Sequence, residues 1–118
     1  MIGRIWRGAT RAEDADEYLA YLERTGLAAY RATPGNRGAL VLRRVREGRA
    51  ELAIVTLWDS EDAVRAFAGD DATRAVFSDV DDRYLVARDE RATHHALAWG
   101  AVDDDLGALL GALAGGAR

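Results

Sequence analysis

Gly38-Ala39-Leu40-Val41-Leu42-Arg43-Arg44-Val45-Arg46-Glu47-Gly48-Arg49-Ala50-Glu51-Leu52-Ala53-Ile54-Val55-Thr56-Leu57-Trp58 decides the fold of this chain. Two runs rich in Leu, Val and Ile, Gly38–Arg46 and Ala50–Trp58, predict strands, and the short polar Glu47-Gly48-Arg49 between them predicts a hairpin. Downstream, Asp59-Ser60 opens a helix with Ala63, Val64 and Phe67 on one face and Gly69 as its stop. Upstream, Pro34-Gly35-Asn36 is turn chemistry that ends an earlier helix. That helix is expected to start from the capping-box pattern Thr10-Arg11-Ala12-Glu13 and to reach about Tyr30. Its apolar stripe is Ala15, Tyr18, Leu19 and Leu22, spaced i, i+3, i+4, i+7. Residues 2–9, Ile and Trp with arginines between them, predict a first strand.

Beyond Gly69, Asp71–Phe77 reads as a further helical turn or two. Asp79–Asp82 reads as an acidic loop before Tyr84-Leu85-Val86, and Ala92–Trp99 as the last strand. The order strand, helix, strand, strand, helix, strand is the split βαβ of an α+β, ferredoxin-like domain over residues 1–100. Two helices cover one face of such a sheet. The other face still needs cover, so a homodimer is expected. Residues 101–118 form a separate tail. Leu106, Leu109, Leu110 and Leu113 stand at helical spacing behind Asp103–Asp105, which favour a helix N-terminus. Gly107, Gly111 and Gly115 each cost that helix about 1 kcal/mol relative to Ala, so it orders only by docking, either on its own dimer or on a partner.

Composition closes many chemistries. The chain has no Cys and no Lys; all 16 basic side chains are Arg. Thiol nucleophiles, thiolate metal sites and Schiff-base chemistry are therefore excluded. Neither Ser60 nor Ser78 lies in a nucleophile elbow, and no glycine-rich phosphate loop occurs. A formal net charge of −4 argues against nucleic acid as a partner. No apolar run is long enough to span a membrane and the N-terminus lacks a signal-peptide core, so the expected location is cytoplasmic.

The stretch Thr56-Leu57-Trp58-Asp59-Ser60-Glu61-Asp62-Ala63 resembles the strand-to-helix signature of the antibiotic biosynthesis monooxygenase family. Ala32-Thr33-Pro34-Gly35-Asn36-Arg37-Gly38 is similar to that family's turn before its second strand, and Thr93-His94-His95 to the start of its final strand. The resemblance implies a dimeric α+β barrel. It also implies a candidate reaction of secondary metabolism: oxidation of a polycyclic, anthrone-like aromatic by dioxygen without metal or flavin. The haem-degrading branch of the superfamily carries a His, a Trp and an Asn where this chain has Phe77, Phe67 and, approximately, Arg7, which argues against a haem role.

Oxidation of that kind asks for a base, an apolar pocket and donors for the enolate or phenolate oxygen. His94 and His95 are the only histidines, and strand alternation lets only one face the barrel. Adjacent histidines on a strand cannot chelate one metal from the same face, so no metal is expected. Arg4 and Trp6 share a face of the first strand, while Arg7 shares the other with Ile5. The candidate catalytic set is thus His94, His95, Arg7 and Arg4. Trp6, Trp58, Phe67, Phe77, Tyr84 and Trp99 are the candidate walls for an aromatic substrate. The same inventory also serves a non-catalytic dimeric binding or accessory protein, or a cyclase or isomerase on the same barrel. A pocket-facing histidine separates the enzymes from the binding protein.

Overall fold

The computed structural model describes residues 1–113. Strand β1 (Ile2–Arg11) is followed by a 3₁₀ turn (Ala12–Asp14) and helices α1 (Ala15–Arg24) and α2 (Gly26–Ala32). Strands β2 (Asn36–Arg46) and β3 (Arg49–Trp58) form the hairpin. Helices α3 (Glu61–Ala68) and α4 (Asp79–Tyr84), strands β4 (Leu85–Arg88) and β5 (Thr93–Ala96), and helix α5 (Leu106–Leu113) complete the order. The sheet is antiparallel in the order β2-β3-β1-β4, and β5 also pairs with β1. This is the ferredoxin-like α+β arrangement, with the fourth lane of the sheet divided between β4 and β5.

The β1–β3 ladder runs unbroken from Ile2↔Trp58 to Arg11↔Arg49. Alternation along it sends Arg4, Trp6, Leu52, Ile54, Thr56 and Trp58 toward the helices, where all six are buried. The opposite face carries Ile5, Val55, Leu57, Leu40 and Leu42 with no helix over them. The β2–β3 turn is tighter than expected. Glu47 (φ 53°) and Gly48 (φ 75°) both sit at positive φ, as a two-residue type I′ hairpin requires.

Several expectations change. Thr10 does not cap a helix: it lies in β1 opposite Ala50, fully buried, and its hydroxyl donates to the Arg11 carbonyl at 2.9 Å. The long β1–β3 ladder captures it, so the first helix starts at Ala15. That helix also breaks at Thr25, whose Oγ1 donates to the Tyr21 carbonyl at 2.8 Å just before Gly26. Asp79–Asp82 is helical, opened by Ser78 with its backbone N–H donating to Asp81 Oδ2 at 2.8 Å, whereas Asp71–Phe77 is irregular. Part of that irregular segment pairs instead with 90–92, through Ala92 N to Thr73 O at 2.7 Å and Ala75 N to Glu90 O at 3.0 Å. This pairing takes the start of the expected last strand out of the main sheet, and β5 begins only at Thr93. At its far end Leu97 keeps one bond, its N–H to Met1 O at 3.0 Å. Ala98 and Trp99 leave the sheet, and Trp99 is 81% exposed.

Helix α5 forms from Leu106, as its leucine spacing predicts, and buries none of its residues. The tail residues 114–118, including Gly115, lie outside the described residues. Among the described residues no helix is long and apolar enough to cross a membrane.

The Pro34-Gly35 turn locks the hairpin to α3. The Gly35 carbonyl (φ 91°) accepts from the Asp59 N–H at 2.9 Å, and Arg37 pairs with the Asp59 carboxylate at 2.6 Å. A Cβ at Gly35 would lie 2.6 Å from the Ala63 Cβ on α3. Gly35→Ala therefore combines strained backbone with a clash, and a loss of about 1–3 kcal/mol in urea unfolding is expected. An unchanged midpoint would show that this turn is free to move.

Candidate functional site

The helix-facing residues of β1 and β3 do not meet α1 and α2 everywhere. Between the layers lies a cavity of about 360 Å³. Trp6, Ile54, Phe67 and Phe77 form much of its apolar wall, and Tyr18, Tyr21, Leu22, Leu27 and Tyr30 enter from α1 and α2. Its floor is set by Trp6. The indole lies over Gly8, where a Cβ would come within 2.4 Å of the ring, and its N–H donates to the Asp89 carbonyl at 2.8 Å. Phe77 meets Trp6 edge-on with centroids 6.0 Å apart, and the Arg88 guanidinium sits 4.1 Å from the Phe77 centroid.

One edge of the cavity is polar. Asp81 is the only carboxylate in its lining among the described residues, and it is buried. The Tyr18 hydroxyl donates to Asp81 Oδ1 at 2.8 Å, and the Ser78 hydroxyl donates to Oδ2 at 3.2 Å. Tyr21 Oη and Ser78 Oγ are 2.6 Å apart. Since Ser78 spends its one hydroxyl proton on Asp81, Tyr21 is the donor in that pair. Every O–H in the row thus points toward the carboxylate.

The aromatic edge contains Tyr30, packed on Phe67 at 4.4 Å between centroids. Behind it lies Arg4, 2% exposed, donating to the Tyr30 hydroxyl at 3.4 Å and to the Arg74 carbonyl at 3.1 Å. Arg4 Nε has no partner, and among the described residues no carboxylate pairs with this guanidinium.

The other expected site residues disperse. His94 pairs with Arg4 across the β1–β5 ladder, faces the helices, and holds Glu61 Oε1 at 2.7 Å through Nδ1; its Nε2 is buried without a partner. His95 lies on the uncovered sheet face, exposed, with Nε2 2.9 Å from Thr93 Oγ1. Neither histidine lines the cavity, so the pocket-facing histidine expected of an enzyme is absent and a base there has to come from another group. Arg7 is on the uncovered face, in a shallow groove of about 490 Å³ with Leu42, Arg44, Glu51 and Ala87. Trp58 is fully buried in the core, its N–H on Thr56 Oγ1 at 2.8 Å. Tyr84 packs against Tyr18 at 5.3 Å, behind the lining, and Trp99 stands in solvent. Of the expected set, the cavity brings together Trp6, Phe67 and Phe77, with Arg4 behind it through Tyr30. Among the described residues no group of three or more His, Asp or Glu is placed to hold a metal ion.

The sequence profile of the antibiotic biosynthesis monooxygenases matches residues 1–78, and the chain belongs to that family. No curated protein matches the chain. Among solved structures, a Bacillus cereus protein assigned to the antibiotic biosynthesis monooxygenases is similar at 13% identity and TM-score 0.59, covering 86% of this chain and 97% of its own. The haem degrader MhuD of Mycobacterium tuberculosis, with two haems in its active site, is similar at 20% identity and TM-score 0.54 (86% of this chain, 100% of its own). A NIPSNAP-domain protein of Burkholderia xenovorans is similar at 16% identity and TM-score 0.56 (87% and 100%). At these identities the likeness establishes the fold. The cavity lining does not fit a histidine-ligated haem: among the described residues it contains no His, and Phe67 and Phe77 occupy its wall.

Burial, the bond to Asp81 and the Asp81 charge all push the Tyr18 hydroxyl far above the ordinary tyrosine value. Burial also raises Tyr30, with Arg4 pulling it back down. A hydroxyl harder to ionise in the folded chain contributes stability that is whole below the ordinary tyrosine value of 10.0 and drains away as pH rises past it. Urea midpoints are expected to fall above that pH. In Tyr18→Phe the alkaline fall should be shallower, although the variant starts about 1–3 kcal/mol less stable at neutral pH because Asp81 loses a donor. Identical alkaline slopes in both proteins would mean that Tyr18 ionises freely.

Proposed function

We propose that the protein is a monooxygenase that oxidises a planar aromatic small molecule with dioxygen, without metal or flavin, inside the helix–sheet cavity. The observation that carries this reading is the join of aromatic walls to one buried carboxylate whose hydrogen-bonded row ends at Tyr21. Membership of the monooxygenase family supports it. For an anthrone-like substrate the balance is simple. A ring CH₂ becomes C=O, its two hydrogens leave with one oxygen atom as water, and the second oxygen atom enters the ring carbon.

The step that needs the protein is proton removal, which leaves an enolate able to pass an electron to dioxygen. Asp81 is the acceptor in this proposal. A proton arriving at Tyr21 moves along the row as Tyr21 donates to Ser78 and Ser78 to Asp81. Trp6, Phe67 and Phe77 hold the ring and exclude water, so the charges at the polar edge act in a low dielectric.

Oxygen uptake and quinone formation with anthrone, above the slow oxidation in air, test the proposal. Asp81→Asn and Tyr21→Phe are each expected to lower kcat by about a hundredfold. His94→Ala and His95→Ala should retain activity if they fold. Full activity in a folded Asp81→Asn would remove the carboxylate from the mechanism. No rate above air with any fused-ring enol would favour the non-catalytic binding protein.

The uncovered sheet face supports a homodimer. Leu42 is 60% exposed there, beside Leu40, Val55 and Leu57, a contiguous apolar row of the kind a monomer rarely leaves open. The exposed Leu109 and Leu113 of α5 support the reading of the tail as a docking element. Light scattering should give twice the chain mass for the wild type and the chain mass for Leu42→Asp, with unchanged circular dichroism. A monomeric wild type would refute the interface.

A further inference from the structure

Arginine stays protonated in proteins, so a fully buried one calls for a counter-charge. Among the described residues Arg4 has none. Its acceptors are a tyrosine hydroxyl and a backbone carbonyl, and its Nε bonds to nothing. Across the ladder stands His94, and the carboxylate there, Glu61, is taken up by that imidazole. Arg74 offers its carbonyl and brings no negative charge. Asp81 raises Tyr30 only as the last of the influences on it, behind burial and Arg4, and its own oxygens are occupied by Tyr18 and Ser78.

Tyr30 is the link between this cation and the cavity. Its ring lines the wall, its oxygen accepts from Arg4, and its own O–H has no acceptor among the described residues. A hydroxyl that accepts from a guanidinium is polarised toward giving its proton to a further acceptor.

We infer that Tyr30, polarised by Arg4, is the oxyanion donor of the cavity, and that the ligand is an aromatic whose phenol or enol oxygen is held there as an anion. The inference rests on the cavity being the ligand site, as proposed above. Tyr30 touches the ligand oxygen; Arg4 acts through it as a positioning residue. Asp81 receives the proton, and the oxygen left behind gains its hydrogen bond from Tyr30. The buried cation obtains its counter-charge only when the ligand ionises, which makes the cavity selective for the anion over a neutral ring of equal size.

2-Naphthol and 2-methoxynaphthalene separate the two layers of argument. Both present the same ring, only naphthol ionises, and its anion has its own absorbance. The wild type is expected to bind naphtholate about tenfold more tightly than the methyl ether, and to lower the pH at which bound naphthol ionises. Tyr30→Phe should bind both compounds alike, with the naphthol ionisation returned to its free value. Arg4→Lys should keep the preference and Arg4→Met lose it, each compared at matched folding by thermal melt. If Tyr30→Phe still prefers naphtholate, or lowers its ionisation as the wild type does, the inference falls and the cavity reading stands. If neither compound binds the wild type at any pH, the cavity reading falls and takes the inference with it.

Discussion

A ten-residue antiparallel ladder between Ile2–Arg11 and Arg49–Trp58 is the constraint on which the rest of the molecule depends. Side chains on a strand alternate, so register alone decides that Arg4 and Trp6 look toward the helices while Ile5 and Arg7 look away. A slip of one residue would place Ile5 and Arg7 under the helices and leave Arg4 and Trp6 on the open face. The same ladder holds Thr10 in the sheet, delays the first helix to Ala15, and so fixes where Tyr18 and Tyr21 reach the cavity.

The placement of Trp6 in the cavity depends on the missing side chain at Gly8, where a Cβ would meet the indole. Trp6 folds over that gap, and Asp89 receives its N–H. Asp89 in turn donates its own N–H to Arg7 O at 2.9 Å, just past the end of β4, and the 73–75 segment enters before β5 begins. The break in the fourth lane and the floor of the cavity are thus one feature. Phe77, just after the inserted segment, then meets Trp6 from the side.

Much of this architecture was legible. Strand alternation in 38–58, the Ser60 cap whose Oγ accepts from Ala63 N at 3.2 Å, and Gly69 at φ 88° all follow from local chemistry. The leucine spacing of α5 did as well. What local signals missed depended on distant partners. Thr10-x-x-Glu13 and Ser78-x-x-Asp81 are rival candidates for helix starts, and the β3 ladder silences the first while nothing opposes the second. The polar edge of the site was hidden in that second pattern, since Asp79–Asp82 reads as a solvated run of charge until Ser78 is recognised as its cap. Tyr18 and Tyr30 look like helix-stripe residues, and only their hydroxyl partners, 63 and 26 residues away in the chain, set them apart. The histidines drew attention because imidazole is the usual neutral-pH base. The base of the proposed reaction, Asp81 buried beside Tyr18 and Ser78, is announced by no motif.

The direction of the hydrogen bonds narrows the proposed chemistry further. Tyr18 is a donor to Asp81 and, being far harder to ionise than a free tyrosine, remains one throughout the physiological range. Its one hydroxyl proton is committed to Asp81, and its side chain is buried. Tyr21 is differently placed: it is half-buried, linked to the carboxylate only through Ser78, and its oxygen is open to accept. In the proposed relay protons enter at Tyr21, the less buried of the two, and Tyr18 holds the carboxylate in place through its hydrogen bond. Tyr30, with a cation behind it, has the opposite bias toward giving a hydrogen bond to developing negative charge. In the proposed chemistry, three tyrosines of identical type are set apart by what stands behind each hydroxyl, a carboxylate, a serine or a guanidinium.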